Sequence, residues 1–214
     1  MFKNISKIQF QLIRLGVYML LFSGFQQEAK SQTAPTTVRE QKFNRLAPKM
    51  TYPLINAGPM SGVLPIEGIT NSPDTKKEVR LLFDFTQSTP SGIQAEEINP
   101  GLLEVARVIN LHAAAGYDPK KIKSVIVFHS GSILSIMNAE YYMEQYKKTN
   151  PNLELLEKLQ KAGATMVVCG QSLELRDFKS AQLVKGIDVA LSAKTTLTKY
   201  HQAGFFTFEI KTAN

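Results

Sequence analysis

Five short apolar runs between residues 79 and 210 constrain this chain more than any other feature. They are VRLLFDF from Val79, SVIVF from Ser124, ATMVVC from Ala164, IDVAL from Ile187 and FFTFEI from Phe205. They are runs rather than alternating patterns, as expected of strands buried on both faces. The segments between them carry apolar residues at helical spacing. Asn99 caps the first helix with Pro100 at its first position, LLEVARVINLHAAAG follows, and Gly116 ends it. A long helix is expected after His129-Ser130-Gly131-Ser132 to about Lys148, and another from Asn150-Pro151 to Gly163. A short helix from Ser172, more helix over Asp177 to Val184, and a last one from Ser192 to Gly204 complete the pattern. Strands alternating with helices predict an α/β domain whose mostly parallel sheet is covered on both faces.

The chain before residue 78 is of a different kind. Lys3, Lys7 and Arg14 precede an uncharged run of 11 residues, Leu15 to Phe25, and Ala29 and Ser31 supply small residues before Gln32. That is the layout of a secretory signal peptide over residues 1–31, cleaved near Ser31, and it predicts a periplasmic or secreted protein. The run falls short of the roughly 20 residues of a transmembrane helix, so no membrane segment is expected after cleavage. An uncleaved N-terminal anchor is the rival reading, since Ile8 to Ile13 adds apolar length upstream. Residues 32–77 then hold six of the ten prolines. Such density excludes long helices and central strands. Tyr52, Leu54, Ile55, Met60, Val63, Leu64, Ile66 and Ile69 are too many apolar groups for a solvated linker. Residues 50–73 therefore read as an extended arm laid over the domain or over a neighbouring subunit, with Gln32 to Arg39 disordered. Residues 78–214 form the α/β domain.

The formal charge of +7 shrinks once the leader is set aside, because Lys3, Lys7, Arg14, Lys30 and Glu28 account for +3 of it. The remaining lysines are scattered, and no nucleic-acid motif is present, so no nucleic-acid partner is expected. One cysteine cannot form an internal disulfide, and one Cys with three His offers no zinc constellation. Cys169 is thus a buried small hydrophobe, a reactive thiol or an intermolecular partner.

Ligands of open parallel sheets bind outside the carboxyl ends of the strands. The residues leaving the strands are Asp84 and Thr86, His129-Ser130-Gly131, Cys169-Gly170-Gln171, and Ser192. At the start of a helix, N–H groups pointing at Cys169 would favour its thiolate, with Gly170 turning the backbone and leaving the sulfur uncovered, and Arg176 adding positive potential. His129 invites a Cys/His pairing, against the plainer reading of a histidine bonded to backbone. His112 reads as a packing residue, and His201 as a cation suited to the last turn of a helix. The HSGS turn, with Ser130 and Gly131, and the Gly170-Gln171 pair are candidates to hold a small anion. Neither GxGxxG nor GxxxxGK[ST] is present, so no nucleotide is indicated, and Ser130 and Ser132 lie outside any GxSxG elbow. Glu96 and Glu97 read as solvated loop charges.

NPNLELLEKLQKAGATMVVCGQSLELRDF, followed by VKGIDVALSAKTTLTKYHQAGF, resembles the DsrE/DsrF-like family. INPGLLEVARVINLHAAAGY and IKSVIVFHSGS resemble exported members of that group. The likeness spans residues 78–210. It implies a three-layer α/β/α domain with a five-stranded parallel sheet, assembled as trimers or hexamers. In the sulfur-relay members a cysteine at the position of Cys169 carries sulfur as a persulfide and passes it to a partner protein.

The leading expectation is an exported sulfur carrier or sulfurtransferase-like protein acting through Cys169, with no metal and no organic cofactor. The alternative is a non-enzymatic module that binds a small anion or assembles into oligomers. A cysteine-dependent redox enzyme is a third reading, set back by the missing second Cys of a CxxC motif.

Overall fold

A computed structural model describes residues 37–88 and 96–211. The leader expected over residues 1–31, and residues 32–36 after it, lie outside the described residues. The strands are β1 Val79–Phe85, β2 Ile122–Phe128, β3 Thr165–Cys169, β4 Ile187–Ala190 and β5 Phe206–Ile210. All pair in parallel, in the order β4-β3-β2-β1-β5.

Period-two alternation divides the sheet's side chains between two helical layers. On one face Leu81, Phe83, Phe85, Ile126, Phe128, Met166 and Val168 pack beneath α2 (Pro100–Ala114) and α4 (Leu153–Lys161). Helix α2 buries Leu102, Val105, Ala106 and Ile109, the i, i+3, i+4, i+7 stripe of an amphipathic helix. The Asn99 side chain accepts the Gly101 N–H at 2.9 Å and fixes where that helix begins. On the other face Leu82, Val125, Val127, Val167 and Cys169 meet α6 (Ala193–Gln202), which Ser192 caps by accepting the Thr195 N–H at 3.1 Å. The result is an α/β/α sandwich with Cys169 on the α6 side. His112 packs as expected, with its ring 5.7 Å from that of Tyr117.

The region between β2 and β3 departs from expectation. In place of a long helix the chain makes a 3-10 run over Ser130–Ile136, extends at Met137, and forms α3 only over Ala139–Tyr146. Serine hydroxyls compete with helical hydrogen bonds there. The Ser132 hydroxyl bonds the carbonyls of Phe85 and His129, and that of Ser135 bonds the Ser132 carbonyl. Met137 bridges Leu183 instead of continuing a helix. The helix expected over 177–184 is likewise only a 3-10 turn, Ser180–Gln182, after Asp177 takes a left-handed φ of 56°.

Residues 38–39, expected to be disordered, form the first turn of α1 (Val38–Leu46). Thr37 accepts the Glu40 N–H at 3.2 Å while Glu40 accepts the Thr37 N–H at 2.6 Å, a capping box. Beyond α1 the proline-rich chain runs over α2 and is held by Asn110. The Asn110 Oδ1 accepts from Leu54 and Ile55 at 3.0 and 2.9 Å, and its Nδ2 donates to the Ile55 and Ser61 carbonyls at 2.7 and 2.8 Å. Ile55 enters the main core.

Candidate functional site

Cys169 is both the last residue of β3 and the N-cap of α5 (Gly170–Glu174). It retains 5% of its surface. Burial pushes the thiol up, but hydrogen bonds from the Ser172 hydroxyl and from the N–H groups of Ala193, Ser172 and Gln171 outweigh it, and the thiol pKa lies below its ordinary value. Two chain segments therefore supply donors to one sulfur: the first turn of α5 and the first residue of α6. The arrangement favours a thiolate, the nucleophilic form of cysteine.

His129 follows β2 with extended backbone, φ −154° and ψ 175°, and its N–H continues the ladder to the Phe85 carbonyl at 3.1 Å. Its Nε2 lies 2.6 Å from Oδ1 of Asp84 on β1. The imidazole thus has a carboxylate partner rather than a backbone one. Both side chains remain partly open, at 21% and 27% exposure. The next residue, Ser130, has a φ of 57°. In that conformation its N–H donates to the Ser172 hydroxyl oxygen at 3.2 Å, which ties the His129 turn to the Cys169 turn.

Gly131 lies pressed under Ser88, whose Oγ would clash with an added Cβ. The N–H of Ser130 is committed to Ser172 and that of Ser132 to the His129 carbonyl at 3.3 Å. Gly170 serves a purpose other than a sharp turn that uncovers the sulfur. A Cβ there would meet the Ala190 carbonyl oxygen at 2.8 Å, so glycine lets β4 pass close by, and the sulfur stays nearly covered. Gln171 is exposed and contributes its N–H to the sulfur. Arg176 is exposed and is not among the groups that shift Cys169. Beside the site, a groove of about 460 Å³ is lined by Gly170, Gln171, Leu173, Phe178, Lys179 and Leu191. Among the described residues no cluster of three or more His, Cys, Asp or Glu could hold a metal ion. Glu96 pairs with Lys148.

Sequence reasoning missed Ser172 and Ala193 as partners of the sulfur, and the pairing of Asp84 with His129. Face parity carried part of the signal: Asp84 follows Leu82 by two residues, and His129 follows Val127 by two.

A parallel α/β/α sandwich with a hydrogen-bonded thiol at the carboxyl edge of its sheet defines the class. The model of the DsrE/DsrF-like family matches residues 80–208, more than half of the 214, and the chain belongs to that family. No curated protein matches the sequence. Among solved structures, a protein of unknown function from Methanobacterium thermoautotrophicum is similar at 16% identity, with a TM-score of 0.45, over 62% of this chain and 99% of the other.

Proposed function

We propose that this protein carries sulfur on Cys169. The observation that bears most weight is the position of Cys169, the last residue of β3 and the N-cap of α5, where the Ser172 hydroxyl and nearby N–H groups lower its pKa in spite of burial. The thiolate attacks the outer sulfur of a persulfide donor, R–S–SH. A bond forms from Sγ to that sulfur, the donor's S–S bond breaks, and R–S⁻ departs, leaving Cys169–S–SH. The transferred sulfur keeps its oxidation state, so neither metal nor organic cofactor is required. Passing the sulfur to an acceptor thiolate repeats the exchange in the other direction. The leader pattern supports export, and family membership supports a homo-oligomer, trimer or hexamer, exchanging sulfur with a donor or acceptor protein.

The intact mass of the reduced protein, before and after incubation with polysulfide or thiosulfate, tests the reading. A gain of one or more sulfur atoms on wild type, absent from Cys169→Ser and reversed by reductant, is expected. No gain on the native protein would overturn it.

The near-complete cover of Cys169 favours a second reading, a binding or assembly module. Exposed Leu175, Val189 and Leu191, at 85%, 50% and 74%, give that module an apolar surface. An inert Cys169 together with an oligomer disrupted by Leu191→Glu would support it.

A further inference from the structure

The donors around Cys169 already favour its thiolate, so the sulfur has little need of a base. In the exchange proposed above, the group that needs a proton is the departing R–S⁻. The carboxyl edge carries one imidazole placed to give it. Phe128 and Val168 are register partners on adjacent parallel strands. His129 continues β2 in extended conformation one residue beyond that pair, and Cys169 ends β3 one residue beyond it, on strands that run about 4.8 Å apart. Leu82, Val125, Val127, Val167 and Cys169 share the α6 face, and two-residue steps from Leu82 and Val127 put Asp84 and His129 on that face too. Across the sheet the order is then thiol, imidazole, carboxylate.

The Asp84 contact also fixes which nitrogen exchanges protons. A carboxylate only accepts, so Nε2 at 2.6 Å carries a hydrogen, and Nδ1 is the nitrogen that faces away from Asp84 and can hand over a proton. Nδ1 has a loose contact, 3.5 Å to the Ser130 hydroxyl, which a ligand can displace. Two further carboxylates lie in register with Asp84: Glu209 on β5, which Lys211 pairs at 2.6 Å, and Asp188 on β4, two strands away from β2.

We propose that His129, held in orientation by Asp84, is the catalytic acid that protonates the thiolate leaving the donor, and that the donor is the persulfide of an alkyl thiol. The proposal rests on Cys169 taking sulfur. The balanced step is Cys169–S⁻ + R–S–SH + His129–H⁺ → Cys169–S–SH + R–SH + His129. The Sγ–S bond forms, the donor's S–S bond breaks, and the Nδ1 proton goes to the departing sulfur. An alkyl thiolate is a basic leaving group and profits from that proton, whereas an aromatic thiolate leaves as a stable anion.

The experiment compares wild type, His129→Asn and Asp84→Asn on the full chain with two reagents. One is glutathione persulfide, followed by intact mass; the other is an aromatic disulfide, followed by release of the coloured thiolate. In His129→Asn, loading from the persulfide should slow on the order of 100-fold, while reaction with the aromatic disulfide stays within about two-fold of wild type. Asp84→Asn should follow the same pattern with a smaller loss. Equal slowing with both reagents would mean a structural role and overturn the proposal, as would unchanged loading in His129→Asn. Wild type that reacts with the disulfide yet takes no sulfur would end the carrier reading and this proposal together. Loading that is equally fast without His129 would end this proposal alone.

Discussion

Ser172 lies three residues downstream of Cys169, within the turn that Cys169 itself caps, and its hydroxyl does most to lower the thiol's pKa. The same oxygen accepts the Ser130 N–H at 3.2 Å, so its proton is free to point at the sulfur. Ser172→Ala removes a donor that acts on the thiolate more than on the thiol. A bond of about 1 kcal/mol corresponds to roughly a five-fold change in thiolate population. Alkylation of Cys169 by iodoacetamide at neutral pH should slow about five-fold, with the rate recovering at higher pH. An unchanged pH–rate profile would mean the hydroxyl leaves the sulfur in solution.

Because the folded thiol titrates below its ordinary value, it also links stability to pH. Between the folded value and the unfolded value of about 8.5, the unfolded chain binds more protons than the folded one. Stability from this group therefore rises with pH across that window, is complete above the unfolded value, and is lost as pH falls through the folded value. Each unit of depression is worth about 1.4 kcal/mol. The difference in urea midpoint between wild type and Cys169→Ala, measured from pH 5 to 9.5, should grow in favour of wild type as pH rises. A flat difference would contradict a depressed thiol.

Gly170→Ala should damage fold and site at once. Its Cβ would lie 2.8 Å from the Ala190 carbonyl oxygen, an atom of the β4 backbone that has no rotamer to give. Relieving the contact means moving α5 away from β4, at about 1–3 kcal/mol. The shift carries the N–H groups of Gln171 and Ser172 off the sulfur. A lower urea midpoint and slower alkylation should appear together; a variant with wild-type values for both would show that the close approach is not required.

Much of this architecture is written locally. The apolar runs mark all five strands to within two residues at each end, and Asn99-Pro100 and Ser192 mark the starts of α2 and α6, because capping and double-sided burial depend on neighbouring residues alone. The helix expected after Gly131 gives way to a 3-10 run in which Ser132 and Ser135 spend their hydroxyls on carbonyls three residues back, and Ser132 also on the Phe85 carbonyl of β1, which tertiary structure brings near. Helix α1 is encoded locally in the capping box of Thr37-Val38-Arg39-Glu40, a signal that the proline density of the segment outweighs. At the site, strand endings place Cys169 and His129 at one edge. The meeting of His129 with Asp84 depends on β1 lying beside β2, and the donor from Ala193 depends on α6 covering the β3 side of the sheet. Neither adjacency is encoded in any single segment.

Asn110 makes the proline-rich arm part of the domain, and its replacement should release it. All four polar contacts of this buried side chain go to arm backbone, two N–H groups and two carbonyls. Asn110→Ala would strand those groups in an apolar setting, at about 1–3 kcal/mol for each left unsatisfied. The arm can lift into water, which limits the penalty to the loss of its own packing, chiefly that of Ile55. A destabilisation of about 2–4 kcal/mol is therefore expected, well below the sum over four groups. Cleavage by a broad-specificity protease should become fast between residues 47 and 78, while the fragment holding β1 to β5 persists. Asn110→Asp keeps the acceptor but sets a carboxylate against the Ile55 and Ser61 carbonyls, so it should release the arm more readily at neutral pH than at pH 4. Equal protease resistance in wild type and both variants would mean that apolar packing alone holds the arm.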